Sequence, residues 1–417
     1  MIGFQEQQMS QLKFGLQRNG IIYPSLPEVD LTNGLDFKGN PVTPSTNGER
    51  NVWTNMGGFG RINYDYDGKY LLEANLRYDA SSRFREGHRA VLSPSFSAGW
   101  NIANENFFEP VRRIVNLLKI RGSYGQLANM NTTGWYPTYS NLGLYASYSN
   151  WLQDNKKTNI TVSPSTIENP FMTWEKIKLV NGGLDFGLLD NRLTGSFDYY
   201  VRTTTDMLGP APQLPAVLGV DPKRANNTEL QDYGYEIQIG WRDRLKNGLG
   251  YGVRLLLSDY QTKVLKYPSN KTGDILGYYD GKVVGEIWGY ETVGIAKTQA
   301  EMDAHLTSVG GQSAIYSSWG AGDIMYKNVD GVDGISPGGR TLTDHGDLKV
   351  IGNNTPRYQF GIDLTADWKG FDVRAFFQGV GKRDFWQGNY FFWGATSGNW
   401  NSNGDESGQS GNNIEDG

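Results

Sequence analysis

Gly60-Arg61-Ile62-Asn63-Tyr64-Asp65-Tyr66-Asp67-Gly68-Lys69-Tyr70-Leu71-Leu72-Glu73-Ala74-Asn75-Leu76-Arg77-Tyr78-Asp79 alternates apolar and polar side chains on both sides of a two-residue break. Ile62, Tyr64 and Tyr66 fall on one parity, and across the break Tyr70, Leu72, Ala74, Leu76 and Tyr78 do the same. Arg61, Asn63, Asp65, Glu73, Asn75, Arg77 and Asp79 take the other parity. A period of two is the signature of a strand with one greasy face, whereas a helix repeats every 3.6 residues. Asp67-Gly68 supplies the positive backbone angles that a tight hairpin turn needs. The stretch therefore predicts two antiparallel strands joined at residues 66–69.

The same alternation recurs along the chain: Phe96, Ala98, Trp100 and Ile102; Leu193, Phe197, Tyr199 and Val201; Tyr235, Ile237, Ile239 and Trp241; Tyr251, Val253, Leu255 and Leu257; Tyr358, Phe360, Ile362, Leu364, Ala366 and Trp368; and Phe371, Val373, Ala375 and Phe377. About eleven strands can be drawn this way, the first of them a fragment at the N-terminus. The links decide the class. Short ones at 66–69, 104–117, 188–192, 244–248 and 369–370 alternate with 9–53, 81–92, 128–172, 204–231, 265–354 and 382–417, most of which are long. All long links then lie at one end. A soluble sandwich gives no reason for that asymmetry, but an antiparallel transmembrane β-barrel does, having short periplasmic turns, long extracellular loops, an apolar outer band and a polar lumen. Tyr70, Tyr78, Tyr235, Trp241, Tyr358 and Trp368 sit at the ends of the outward stripes, where interfacial aromatic girdles belong.

Composition agrees. The 417 residues include 54 Gly, 12 Trp, 24 Tyr and 18 Phe, a load of turn formers and of rings that suit a pleated surface. Mean hydropathy is -0.52, and no run approaches the roughly 18 apolar residues of a spanning helix. There is no Cys, which excludes disulfides, thiolate metal sites and cysteine nucleophiles. Net charge is -5 with pI near 5.4, so no basic footprint points to nucleic acid. Met1-Ile2-Gly3-Phe4-Gln5-Glu6 has neither a basic nor an apolar leader region. Either the chain stays in the cytoplasm or its signal lies upstream in a longer protein.

Motifs in fixed order sharpen the assignment. GFGRINYDYDGKYLLEANLRYDASSRF (58–84) is followed by LSPSFSAGW (92–100), LKIRGSYGQ (118–126) and WEK (174–176). Then come NNTELQDYGYE (226–236), GYETVGI (289–295), GDIMYK (322–327) and IGNNTPRY (351–358). Together they resemble the SusC/RagA family of TonB-dependent outer-membrane transporters of Bacteroidetes. The resemblance implies an all-β fold in which residues 1–417 are part of a receptor barrel, about eleven strands of an expected 22. Signal peptide, energy-coupling segment, plug and early strands would precede Met1, and closing strands would follow Gly417. It further implies import of glycan oligomers or oligopeptides, a SusD-like surface lipoprotein partner, and coupling to TonB through the missing N-terminal part.

Several residues are candidates for function. Glu73, Arg77, Asp79, Arg83, Arg85 and Arg254 belong to the polar parity and would face the lumen, touching substrate or bracing a plug. Loop aromatics would stack on sugar faces or hold peptide side chains through their polar handles. These are Trp135, Tyr136 and Trp151 in one loop, Trp288 and Tyr290 in another, and Trp386, Tyr390 and Trp393 in the last. The alternative for the rings is packing of loops on one another or on a partner. Asn328-Val329-Asp330-Gly331-Val332-Asp333-Gly334 resembles a calcium loop, with Asn328, Asp330 and Asp333 as ligands. Val332 places Asp333 one position late, which favours a turn closed by Asx side chains without metal. Otherwise no cofactor is expected. Catalysis is not expected either: His88, His305 and His345 are scattered, pairs such as Asp344 and Asp347 have no cleft to fix them, and no phosphate loop opens a helix. The competing function is a non-transporting, carbohydrate-binding or adhesive surface module.

Overall fold

The computed structural model describes residues 1–130, 134–139, 169–211 and 223–387, with isolated short pieces at 143–145, 152–153, 156–157, 161–163, 215 and 217. Eleven strands form one antiparallel sheet. They are β1 (Ile2–Gln17), β2 (Ser45–Tyr66), β3 (Tyr70–Ser81), β4 (Ala90–Asn101), β5 (Val115–Asn129), β6 (Glu175–Leu188), β7 (Leu193–Gly209), β8 (Ala225–Arg244) and β9 (Gly250–Lys266). Between β9 and the last two strands lies an insertion holding β10 (Glu286–Tyr290), β11 (Thr292–Ile295), α1 (Gln299–Val309), β12 (Ile324–Tyr326) and β13 (Leu348–Asn353). The sheet then resumes with β14 (Arg357–Trp368) and β15 (Phe371–Lys382). Each sheet strand pairs with its neighbours in chain order, β9 meeting β14 across the insertion, and β1 and β15 pair on one side only.

The opening hairpin closes at Tyr66↔Tyr70, with Asp67 at φ 54° and Gly68 at φ 62°. This is the geometry of a turn whose twist matches its strands. Parity holds across the sheet. Ile62, Phe96 and Phe371 are 73%, 54% and 78% exposed on the outward face, which in a membrane barrel is the lipid face. The lumen face instead carries paired charges.

The strands outrun the sequence-based boundaries at the long-loop end. β1 continues to Gln17 and β2 starts at Ser45, where the alternation predicts a link over 9–53. β7 reaches Gly209 and β8 starts at Ala225, inside the expected link 204–231. In the added parts of β2 (residues 45–51) and β8 (residues 226–229) both parities are polar, so the ladder persists there without its hydrophobic signal, whereas in β1 Leu12, Phe14 and Leu16 keep the alternation. At about 3.3 Å per residue, the 22 residues of β2 reach roughly 70 Å, about twice the span of a bilayer core.

The insertion has its own core rather than being a plain link. Ile275, Met302 and Ile335 are fully buried. Thr298 caps α1 by accepting the Glu301 N–H at 3.2 Å, and Gly310 ends it at φ 74°, the left-handed position that glycine occupies without strain. Met302 alone of the helix residues is buried, so no apolar stripe betrays the helix in the sequence. Lys282 is buried and donates to the carbonyls of Ile275 at 2.9 Å and Gly277 at 2.8 Å, and that burial lowers its pKa from the usual lysine value. Where the chain returns to the sheet, Arg357 forks onto Asp259 at 2.6 Å through both Nε and Nη2, a bidentate pairing that fixes direction as well as charge.

Candidate functional site

The lumen face is built from charges that reach across strands. Glu73 accepts from Arg61 at 2.6 Å and from Asn75 at 2.8 Å. Arg77 lies against Asp79 at 2.8 Å. Asp363 collects two guanidinium groups, Arg254 at 2.6 Å and Arg374 at 2.8 Å. Arg121 joins Asp185 at 3.0 Å to Asp198 at 2.5 Å. Arg121 is absent from the candidates above, and the signal for it lies in a neighbour. Gly183 sits directly between Arg121 and Asp198 in the ladder, and a Cβ there would fall 2.7 Å from the Arg121 guanidinium and 2.8 Å from the Asp198 carboxylate. The missing side chain is the opening through which Arg121 crosses the strand. Small residues also make room nearer the short turns, where Ser97, Gly99, Gly122 and Ser123 floor a hollow of about 560 Å³ edged by Glu73, Lys119 and Arg121.

At the long-loop end the same face holds a cleft of about 530 Å³. Trp135, Tyr136 and Tyr139 form one wall, Glu49 and Asn51 of β2 another, and Lys223 and Arg224 the rim. Its architecture follows from a short segment, 134–139, folded down onto β2 and the link after β3. The Tyr136 hydroxyl accepts the Val52 N–H at 3.0 Å. Arg85 donates through Nε to the Thr138 carbonyl at 2.9 Å and lies over the Tyr139 ring at 5.0 Å. Arg83 covers the Trp53 ring at 4.9 Å, a cation–π geometry. Beneath them Phe84, Val91, Met172 and Trp174 form a buried cluster, in which Phe84 and Trp174 lie 5.4 Å apart and the Trp174 N–H donates to the Arg89 carbonyl at 2.9 Å. Met172 belongs both to this cluster and to the cleft wall. The cleft can therefore present aromatic faces, an amide and charged groups of both signs to a polar oligomer.

The candidate residues divide accordingly. Trp135 and Tyr136 meet in the cleft. Arg83 and Arg85 lie beyond the end of β3 and brace that cleft, while Glu73, Arg77, Asp79 and Arg254 line the wall below it. Trp288 and Tyr290 are elsewhere, in β10 of the insertion. Trp288 packs on His345 at 5.6 Å and Tyr290 on Tyr326 at 5.2 Å. Burial drives the Tyr290 hydroxyl pKa up to about 12. Trp386 is exposed, and Trp151, Tyr390 and Trp393 lie outside the described residues. Glu49, Asn51, Lys223 and Arg224 carried no sequence signal, since their common site is made by strands and links far apart in the chain.

The segment resembling a calcium loop is a closed turn. The Asn328 side-chain oxygen accepts from Gly331 at 2.7 Å and that of Asp330 from Val332 at 2.8 Å. The buried Asp347 carboxylate takes Val329 at 2.6 Å and Ser336 at 2.8 Å. Among the described residues no three His, Asp or Glu side chains are grouped to hold a metal ion. In this turn the side-chain oxygens of Asn328 and Asp330 are engaged by the backbone.

Comparison with known proteins adds the family. Residues 3–413 match the model of the TonB dependent receptor-like β-barrel. TonB-dependent receptor P3 of Formosa agariphila is 29% identical over 366 residues, which are 84% of this chain and 34% of that protein. TonB-dependent receptor SusC of Bacteroides thetaiotaomicron is 34% identical over 185 residues, 43% of this chain and 18% of SusC. The chain thus spans about a third or less of the length of the curated relatives it matches. In fold, it superposes on the RagAB peptide importer in the open-open state with a TM-score of 0.65 at 21% identity, covering 91% of this chain and 38% of that one. The sheet, its polar lumen face and the family match agree: the chain belongs to the TonB dependent receptor-like β-barrel family and is a protein of the outer membrane.

Proposed function

We propose that this chain forms part of the wall and the outer mouth of a TonB-dependent importer of glycan oligomers or oligopeptides. A SusD-like lipoprotein would sit over the long-loop end, and TonB would drive transport from the periplasmic side. The observation that carries the reading is the cleft of Trp135, Tyr136 and Tyr139 with Glu49, Asn51, Lys223 and Arg224. It lies on the lumen face and at the end that faces outward in barrels of this kind. Aromatic planes with a few placed polar groups suit oligomers that offer alternating apolar and hydrogen-bonding surfaces. The small-residue hollow nearer the short turns suits a plug seated against Glu73, Lys119 and Arg121.

The test uses the full-length protein in its membrane. Trp135→Ala and Tyr136→Ala, assayed against panels of oligosaccharides and oligopeptides, should weaken binding of the cognate oligomer by about tenfold each, or about 1.4 kcal/mol. Unchanged affinity at normal expression would reject the cleft as the binding site. Uptake that continues without the inner-membrane energy system would reject active import.

A further inference from the structure

The longest link at the short-turn rim, residues 102–114, is not a simple turn. Two three-ten turns, Ile102–Asn104 and Asn106–Val111, fold it compactly, and it is fastened to the outside of the sheet. Asn104 donates to the Gly68 carbonyl at 3.0 Å. One carboxylate oxygen of Glu105 accepts both the Tyr70 hydroxyl at 2.6 Å and the Trp100 N–H at 3.1 Å. Tyr70 and Trp100 are cross-strand partners on the outward parity, with rings stacked at 6.5 Å, so this contact places the link beside the outward aromatic girdle. Arg112 folds back onto the carbonyls of Ala103 at 2.9 Å and Glu105 at 3.2 Å. Held in this way, the link exposes Phe107 at 67%, Val111 at 44% and Ile114 at 59%, and Arg113 is exposed beside them.

We propose that residues 102–114 are an interfacial lipid anchor for the periplasmic leaflet of the outer membrane. Phe107, Val111 and Ile114 enter the boundary between headgroups and acyl chains, and Arg113 meets the lipid phosphates. The apolar group continues the surface already given to lipid, since it is joined through Glu105 to the girdle residues Tyr70 and Trp100. Rings at that depth are the common marker of a membrane boundary. A polar, compact segment with a few large apolar groups and a cation is the composition that lies in an interface rather than crossing it.

Because this chain has no cysteine, single nitroxide labels are placed cleanly in the full-length protein, provided that no other reactive thiol is present. Phe107→Cys and Ile114→Cys are labelled in bilayers containing anionic phospholipid. Lys246→Cys at the β8–β9 turn serves as the aqueous reference and Ile62→Cys, on the outward face, as the lipid reference. Folding is checked by heat-modifiable mobility. Collision with oxygen relative to a water-soluble nickel chelate should be several-fold higher at 107 and 114 than at 246, and should not exceed the ratio at 62. A ratio equal to that at 246 places the link in water and overturns the proposal. Shielding from both reagents, the mark of a covering protein, overturns it as well.

Discussion

The two rims of the sheet use the same kinds of ring in opposite ways. At the short-turn rim Tyr70 and Trp100 point out of the sheet and are held by an anion, Glu105. At the long-loop rim Trp53 and Tyr139 are covered by the cations Arg83 and Arg85, and the rings of 134–139 turn toward the lumen. An aromatic ring has a negative face and a positive edge, so a guanidinium above its plane and a carboxylate at its N–H or O–H are both favourable. Parity selects the side, and the sign of the partner selects what the ring presents. The outer rings are fixed by their polar edges and stacked on each other, whereas Trp53 and Tyr139 are each covered on a face by a guanidinium. The long-loop rim also has a buried cluster beneath it, which the short-turn rim lacks among the described residues.

That difference predicts where damage will be felt. Phe84→Ala empties the center of the buried cluster and should cost about 3–5 kcal/mol, in the range of large-to-small core changes. The loss should be confined to the long-loop end: thermal unfolding followed by labels at both rims should show the cleft loosening first, while a label at position 107 keeps its mobility. Loss of order at both rims together would mean that the two ends are one cooperative unit.

Adjacent glycines give a sharper contrast between the two faces of the wall. A methyl group at Gly183 meets Arg121 and Asp198 at under 3 Å, whereas one at Gly182 meets nothing within 4 Å. Gly183→Ala should destabilise by about 1–3 kcal/mol, as overpacking does, and Gly182→Ala should change stability by no more than about 0.5 kcal/mol. Equal effects in denaturant titrations would show that the Arg121 bridge contributes nothing.

The smallest effect is one of acidity. Glu105 is held below the usual carboxylate range, first by the Tyr70 hydroxyl and then by the Trp100 N–H. A depressed folded pKa means that the tie is complete above the unfolded value of about 4.3. It is lost only as pH falls through the lower folded value. Tyr70→Phe removes the main donor, so the link 102–114 should loosen on acidification at a higher pH than in the natural protein. A label at 107 reports this. A label next to Tyr139, which an arginine holds, should not respond over the same range.

The sequence revealed the wall far better than the mouth. Each hairpin is local: Tyr66 and Tyr70 meet across Asp67-Gly68, and alternation assigns every side chain between them to a face. The cleft joins Glu49 to Trp135 and Arg224, and no period links such distant positions. Aromatic content marked Trp135 and Tyr136, but the same criterion marked Trp288 and Tyr290, which pack within the insertion. Composition tells that a ring will be used and does not tell whether a surface or a core will use it. The start of β2 is hidden for a related reason, because over residues 45–51 both of its faces are polar.

The ion pair Arg357–Asp259 bears on the order of assembly. Strands β9 and β14 must find each other across residues 267–356, the longest connection in the sheet. Closing it costs about 2–3 kcal/mol more in chain entropy than closing a tight turn. An insertion that condenses around Ala296, Met302 and Met325 shortens the search, because part of the connection is then one small body. The Arg357 fork then fixes the register in which the β14–β15 hairpin meets β9.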